Sequence, residues 1–210
     1  MCRKGNEDCF LVADLSTGNT GLVPEVSNHR VGQFGSLLVV SDGMGGAVAG
    51  EIASDLSVNH VRENIVRNAH MQNASERLRL AVESANHTVW QYAQDNRQFA
   101  GMGATMTAVL CHQSKAYIAQ VGDSRGYILR GETLVQVTRD QSLVNQLIEA
   151  GQLTEEEAET FEHNNIILQA LGTSDTVQVD LTYTELRRGD VLMLCSDGLS
   201  DPVSHETILD

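Results

Sequence analysis

The chain has 210 residues, about the length of one domain, and 41% of them are hydrophobic, which is enough to bury a sizeable core. Its 14 Lys and Arg residues against 28 Asp and Glu give a formal net charge of −14, so it lacks the basic surface that holds a nucleic-acid backbone. No apolar run approaches the roughly 20 residues of a membrane span, and the N-terminus has no apolar signal-peptide core, so we expect a cytoplasmic protein that keeps its four cysteines as free thiols.

The apolar pattern of the first half of the chain predicts strands followed by two long helices. Apolar runs at 10–12 and 36–40 predict strands, and the segment between them, 15–35, is rich in Gly, Asn and Ser and predicts turns. Two helices are expected at about 47–68 and 74–95. The second helix carries an apolar stripe at spacings of three and four residues, which is typical of a helix that lies on a sheet.

The second half of the chain is predicted to consist mostly of strands. These are expected at 104–111, 116–121, 126–130, 133–137, 177–184 and 191–195. Residues 142–165 are polar and helical, with a capping box formed by Thr154 and Glu157, and 204–210 begins another helix. Because the strands are mostly consecutive and the two long helices adjacent, the pattern favours a layered α+β fold with antiparallel sheets.

Acidic residues recur beside the predicted strands. Asp42 and Asp197 each follow an apolar run within the sequence Ser-Asp-Gly, Asp123 follows a third run, and Glu7 and Asp8 immediately precede the first. A single Asp-Gly is usually a turn. Four acidic clusters with few Lys or Arg nearby favour a hard cation, because all-oxygen ligands select Mg²⁺, Mn²⁺ or Ca²⁺.

Two other motifs match known sites only in part. The loop Asp42–Gly46 lacks both the Gly-Lys-Ser/Thr of a Walker A loop and the last glycine of the dinucleotide fingerprint. Gly122–Gly126 matches the G-x-S-x-G elbow of serine hydrolases, but that elbow needs a helix directly after the serine, and a strand is predicted here. We therefore interpret Ser124 as a residue that braces the loop of Asp123, and a serine hydrolase is the weakest of three hypotheses.

Five motifs in a fixed order carry a resemblance to a known family. They are Arg3-Lys4-Gly5-Asn6-Glu7-Asp8, Ser41-Asp42-Gly43-Met44-Gly45-Gly46, Gly103-Ala104-Thr105-Met106-Thr107, Val121-Gly122-Asp123-Ser124-Arg125 and Ser196-Asp197-Gly198-Leu199-Ser200-Asp201. Together they resemble the metal-dependent protein phosphatases, the PPM or type 2C serine/threonine phosphatases, in their bacterial form. The resemblance implies one domain over 1–210, with a four-layer αββα sandwich of two mainly antiparallel sheets flanked by helix pairs.

The resemblance also implies a binuclear Mn²⁺ or Mg²⁺ site. Asp42 resembles the carboxylate that bridges both ions, Gly43 the residue that supplies a carbonyl, and Asp197 a ligand of one ion. Glu7 resembles the acid that reaches the second ion through water, and Asp8 the neighbouring acid that steadies the site. These assignments are expectations that follow from the family pattern.

Two further residues complete the implied site. Asp123 resembles a ligand of the third, weaker metal of bacterial members, and Arg3 resembles the arginine that grips the substrate phosphate with two parallel hydrogen bonds. Two cations about 3.5–4 Å apart can activate a shared water for in-line attack on phosphorus. We therefore expect hydrolysis of phosphoserine and phosphothreonine in proteins, opposite bacterial kinases, with Arg3, Asp42 and Asp197 as the catalytic residues and no nucleic-acid or membrane partner.

The chain departs from the family pattern in its flap and at its ends. The flap is expected at about 138–172, where Gln141 and Gln169 stand in place of the His and Arg of many members, and Met44 replaces a histidine of eukaryotic members. The family usually has a strand before Arg3, and it ends with a helix and a strand that bears another Asp ligand. The chain is therefore expected to be shortened at both ends. The missing ligand supports an alternative function, a pseudo-enzyme or regulatory module that binds phosphoproteins without turnover.

Overall fold

A computed structural model of the chain describes residues 6–20 and 29–209. Arg3 and Cys2 lie outside these ranges, as does part of the predicted turn segment. The strands are β1 Asp8–Asp14, β2 Ser36–Met44, β3 Gly103–Ala104, β4 Met106–His112, β5 Lys115–Val121, β6 Arg125–Arg130, β7 Thr133–Gln136, β8 Asp180–Glu185 and β9 Val191–Cys195. The helices are α1 Ala47–Arg67, α2 Ala74–Asp95, α3 Leu143–Glu149, α4 Glu155–Glu159, α5 Asp197–Ser200 and α6 His205–Leu209, with a 3₁₀ turn at Arg97–Phe99.

The strands form two sheets in which every pairing is antiparallel. The large sheet has the order β1-β2-β4-β5-β8, with β3 paired to the end of β2, and the small sheet has the order β7-β6-β9. The antiparallel layered fold predicted from the sequence is thus confirmed. None of the helices within the described ranges is long and apolar enough to cross a bilayer.

Helices α1 and α2 cover one face of the large sheet. Because successive strand residues point to opposite faces, Leu37 and Val39 of β2 face the helices, where they join Val61 of α1 and Leu78 of α2 in one cluster. All four side chains are at most 1% exposed. The apolar stripe predicted for 74–95 is confirmed for Leu78, Val82, Ala85 and Val89, which are buried in α2, whereas Tyr92 is only partly buried.

The opposite face of the large sheet packs against the small sheet. Val109 and Ile118 lie in a buried cluster with Leu192 and Leu194 of β9 packed against it. On the outer face of the small sheet, Ile208 of α6 packs against Tyr127, Leu134 and Cys195. The layers are therefore the α1–α2 pair, the large sheet, the small sheet and α6.

Two predicted strands differ from the observed ones near the acidic residues. The run at 36–40 extends as β2 to Met44, because Asp42 pairs with Asp8 of β1 and Gly43 pairs with Ala104 of β3. Asp42 therefore lies within a strand and not in a turn that follows it. The run at 104–111 is divided at Thr105 into β3 and β4, although the register with β2 continues unbroken from Gly43 opposite Ala104 to Val40 opposite Thr107.

Other differences are small. The strand predicted at 177–184 begins only at Asp180, since the amide of Gln178 is bonded to the side chain of Gln169. The capping box of Thr154 and Glu157 at the start of α4 is confirmed. Three of the four cysteines fall within the described ranges, and all three are free thiols. Burial raises the pKa of the Cys111 thiol to about 11.

A core substitution tests the packing of α2 on the large sheet. Leu78 is fully buried, so we expect Leu78→Ala to lower the free energy of unfolding by about 2–5 kcal/mol through lost burial and the cavity left behind. Leu181→Ala is the matched control, because Leu181 is 37% exposed on β8, and it should cost less than about 1 kcal/mol. Equal losses in urea denaturation of the two variants would contradict the packing described here.

An ion pair at the edge of the small sheet predicts an acid-sensitive step. The carboxylate of Asp190 accepts hydrogen bonds from the Arg130 guanidinium at 2.7 and 2.9 Å and from the Arg187 amide at 2.7 Å. The Arg130 contacts, followed by the Arg187 amide, lower the pKa of Asp190 to about 2. A carboxyl with a lowered pKa stabilises the fold above its ordinary pKa, and this contribution is lost as the pH falls towards the folded value.

We therefore expect wild-type stability to fall more steeply than that of Asp190→Asn between about pH 4 and pH 2. The measurement is urea denaturation over a pH series. Asp95→Asn, at the exposed end of α2, is the control and should follow the wild-type curve. Parallel curves for wild type and Asp190→Asn would show that the pair does not stabilise the fold.

Candidate metal centre

Three carboxylates meet where the two sheets come together. Asp8 and Asp42 are direct cross-strand partners in β1 and β2, so their side chains lie on the same face of the sheet. Ser196, just before α5, donates a hydrogen bond from its Oγ to Asp8 Oδ2 at 2.9 Å. This contact brings the start of α5 to the paired strands, and Asp197 of α5 reaches Asp42.

The pKa of Asp42 records this crowding. It is raised to about 8, first by burial, then by a side-chain hydrogen bond with Asp197 and by the negative charges of Asp8 and Asp197. Two carboxyl groups can share a hydrogen bond only if one holds a proton. The cluster therefore carries an electrostatic cost that a proton or a cation can offset.

Asp123 faces the same acidic region from the loop after β5. Its pKa is raised to about 6, first by burial and then by the charges of Asp197, Asp140 and Asp201. The pKa of Asp201 is raised as well, by burial and by Asp197. The charge of Asp197 thus acts on both Asp42 and Asp123, so one negative field covers both predicted ligands.

Glu7 and Gly43 lie on the helix side of this cluster. The start of α1 comes so close that a Cβ on Gly50 would lie 2.4 Å from Glu7 Oε2 and 2.9 Å from the carbonyl oxygen of Gly43. The Glu7 carbonyl accepts hydrogen bonds from the Gly43 amide at 3.1 Å and from Ser54 Oγ at 2.6 Å. A carboxylate and a carbonyl oxygen therefore share a small space that exists because residue 50 has no side chain.

The donor set fits Mg²⁺ or Mn²⁺ in its chemistry, since it consists of carboxylate and carbonyl oxygens. Within residues 6–20 and 29–209, no three His, Cys, Asp or Glu side chains converge closely enough to hold an ion on their own. Mg²⁺ usually keeps several waters and takes only one or two protein carboxylates. The pairs described here are compatible with that kind of coordination.

A buried network of hydroxyl groups fixes Asp42 relative to Asp123, and the sequence analysis missed it. Thr105 holds both backbone groups of Asp42, donating from its amide to the Asp42 carbonyl at 2.8 Å and accepting from the Asp42 amide on Oγ1 at 2.9 Å. The same Oγ1 is 2.6 Å from Ser124 Oγ, next to Asp123. Thr105 stands in one of the five motifs that carry the family resemblance, but a single threonine in a sequence does not indicate this role.

Ser124 is not a nucleophile elbow. It is fully buried, and β6 begins at the next residue instead of the helix that an elbow requires. Its carbonyl accepts hydrogen bonds from Thr107 Oγ1 at 2.9 Å and Gln120 Nε2 at 2.6 Å. The interpretation of Ser124 as a brace for the Asp123 loop is confirmed.

Arg3 lies outside the described residues, so its predicted contact with phosphate stays a prediction. The guanidinium of Arg125, two residues after Asp123 in the chain, forms an ion pair with Asp140 at 2.7 Å. This pair joins β6 to the segment that follows β7. It holds the start of the predicted flap against the side of the acidic cluster.

A glycine substitution tests the space between α1 and β2. Gly50→Ala should improve intrinsic helix propensity by about 1 kcal/mol, but its Cβ would displace the Glu7 carboxylate from the Gly43 carbonyl. We expect Mn²⁺ affinity, measured by titration calorimetry, to fall about tenfold or more. Val48→Ala, in the same turn and 65% exposed in the wild type, should leave the affinity unchanged. Undiminished Mn²⁺ binding by a folded Gly50→Ala protein would remove Glu7 and Gly43 from the site.

Comparison with known proteins identifies the family. A family model described as Protein phosphatase 2C matches residues 26–210. The serine/threonine protein phosphatase PstP of Mycobacterium tuberculosis is 38% identical over 196 residues, which cover 90% of this chain and 37% of PstP. The serine/threonine phosphatase stp of Listeria monocytogenes is 38% identical over 170 residues, covering 80% of this chain and 68% of stp.

The fold is shared with solved structures. The crystal structure of the catalytic domain of PstP in complex with 2 manganese ions superposes with a TM-score of 0.78 at 35% identity, covering 100% of this chain and 78% of that one. The chain spans little more than a third of the length of PstP as a whole, 37%. Because the family model and these relatives match most of its residues, the chain belongs to the protein phosphatase 2C family.

Proposed function

We propose that the chain is a metal-dependent phosphatase that hydrolyses phosphoserine and phosphothreonine in proteins. The observation that carries the proposal is the cluster of Asp8, Asp42 and Asp197, in which burial, followed by the contacts with the other two carboxylates, raises the pKa of Asp42 to about 8. Two relatives are named serine/threonine phosphatases, and a solved relative holds 2 manganese ions. These names support Mn²⁺ or Mg²⁺ as the ions of this site.

In this proposal the metal ligands are Asp42, Asp197 and Asp123, and Glu7 would reach an ion through water. Asp8 steadies the site and Gly43 supplies a carbonyl. Bound Mn²⁺ or Mg²⁺ supplies Lewis acidity and activates water for attack on phosphorus. The chain's own part is to keep the oxygen atoms in position before an ion arrives. Thr105 fixes the backbone of Asp42, and Ser196 holds the carboxylate of Asp8.

Substrate recognition is assigned to two parts of the chain. Arg3 is proposed to bind two oxygens of the substrate phosphate through its guanidinium. The segment 138–172, which contains α3 and α4, is proposed as a flap beside the site within a single domain of residues 1–210. Action opposite serine/threonine kinases and a cytoplasmic location stay predictions.

The experiment is hydrolysis of a phosphothreonine peptide by the wild-type chain with Mn²⁺ and with EDTA. We expect turnover with Mn²⁺, none with EDTA, and a loss of at least about a hundredfold in Asp42→Asn, because that change removes a carboxylate that would hold the ions. Asp95→Asn, an exposed carboxylate far along α2, is the matched control and should retain wild-type turnover. Turnover that survives EDTA would refute the metal mechanism.

A melting measurement shows whether Asp42→Asn is folded. Neutralising Asp42 relieves its repulsion by Asp8 and Asp197, so in EDTA near pH 8 the variant should melt at or above the wild-type temperature. Each kcal/mol gained in the free energy of unfolding should raise the melting temperature by about 2–4 °C. Addition of Mn²⁺ should raise the wild-type melting temperature and not that of the variant. A folded wild type that binds Mn²⁺ without turnover would support the pseudo-enzyme, which the names of the relatives do not favour.

A further inference from the structure

Gln141 is the point at which three separate segments are tied together. Its amide donates to the Gly122 carbonyl at 2.9 Å, and its side-chain Oε1 accepts from the Gly122 amide at 2.9 Å. Its carbonyl accepts from the Leu168 amide at 2.8 Å, and its Nε2 donates to the Gln178 carbonyl at 3.3 Å. One residue thus joins the loop after β5, the return of the proposed flap and the approach to β8.

The contact with Gly122 matters because of what lies on either side of that glycine. Gly122 has a φ of +90°, a conformation that only glycine adopts without strain, and it directly precedes Asp123. Its carbonyl accepts a second hydrogen bond from Gln120 Nε2 at 3.0 Å. A Cβ on Gly122 would lie 2.9 Å from Thr105 Cγ2, so the loop rests against the residue that holds Asp42.

Gln169 provides a natural comparison. Like Gln141 it is a half-buried glutamine that lines the same polar cavity of about 250 Å³ and bonds to Gln178. Its Oε1 accepts from the Gln178 amide at 2.9 Å, and its Nε2 lies 3.5 Å from the Gln178 carbonyl. Its bonds stay between the flap and the approach to β8, whereas those of Gln141 reach the loop of Asp123.

We propose that Gln141 is a positioning residue, which sets the conformation of the Asp123 loop and couples that loop to the flap. The two hydrogen bonds with Gly122 hold a loop that glycine would otherwise leave free. The contact with Leu168 links this loop to the return of the flap, and the contact with Gln178 links it to the approach to β8. The part of the inference that concerns metal binding rests on the proposed function. The part that concerns the loop does not.

The test compares Gln141→Ala with Gln169→Ala by two measurements. The first is hydrogen exchange of the Gly122 amide in the metal-free chain, followed by NMR. Gln141→Ala should speed this exchange about tenfold, as expected for one lost hydrogen bond, while amides in the middle of β5 keep their rates. Gln169→Ala should leave the Gly122 rate within roughly twofold of the wild type.

The second measurement is Mn²⁺ titration calorimetry on the same proteins. Gln141→Ala should weaken the lowest-affinity Mn²⁺ site about tenfold, as is typical when a residue that orients a metal ligand is removed, and Gln169→Ala should not. A Gly122 rate that stays at the wild-type value in Gln141→Ala, or that rises equally in Gln169→Ala, would overturn the inference. If the wild type binds no Mn²⁺ while the two variants still differ at Gly122, the proposed function fails and the positioning of the loop stands.

Discussion

Burial and the negative charges of Asp8 and Asp197 raise the pKa of Asp42 to about 8, so the three carboxylates repel one another unless a proton or a cation offsets their charge. Such repulsion would drive flexible side chains apart into water. It persists here because the carboxylates are attached to elements that cannot separate. Asp8 and Asp42 are locked as partners in an antiparallel pair, and that pair lies within the large sheet.

The surrounding polar groups are arranged to hold backbone and not to neutralise charge. Thr105 binds the amide and carbonyl of Asp42 and the hydroxyl of Ser124, and Gln120 binds the carbonyl of Gly122. Hydroxyl and amide groups supply hydrogen bonds without adding a cation that would compete with a metal ion. The nearby Arg125 is paired with Asp140. The site therefore retains its negative field, and most of the chain's acidic excess is irrelevant to it.

The elements of the fold could be predicted from the sequence wherever apolar periodicity was long and regular. The helix predicted at 74–95 matches α2 at both ends, because its stripe is the buried face. The sequence indicated the acidic residues through the recurring Ser-Asp-Gly and neighbouring motifs. It did not predict how these residues are arranged in space. Whether Asp42 lies in a strand or a turn depends on pairing with Asp8, and the role of Gly50 depends on how closely α1 approaches β2. Such contacts between distant segments leave no local pattern.

The hydrogen bond from Ser196 to Asp8 joins residues 188 positions apart. Contacts of such sequence separation form late, because the entropy of closing the long loop has to be met before they contribute. During synthesis, the helix pair and the central strands β4 and β5 can pack while β9 and α5 are still being made. The acidic cluster is therefore complete only once α5 has been produced, because Asp197 then joins Asp8 and Asp42.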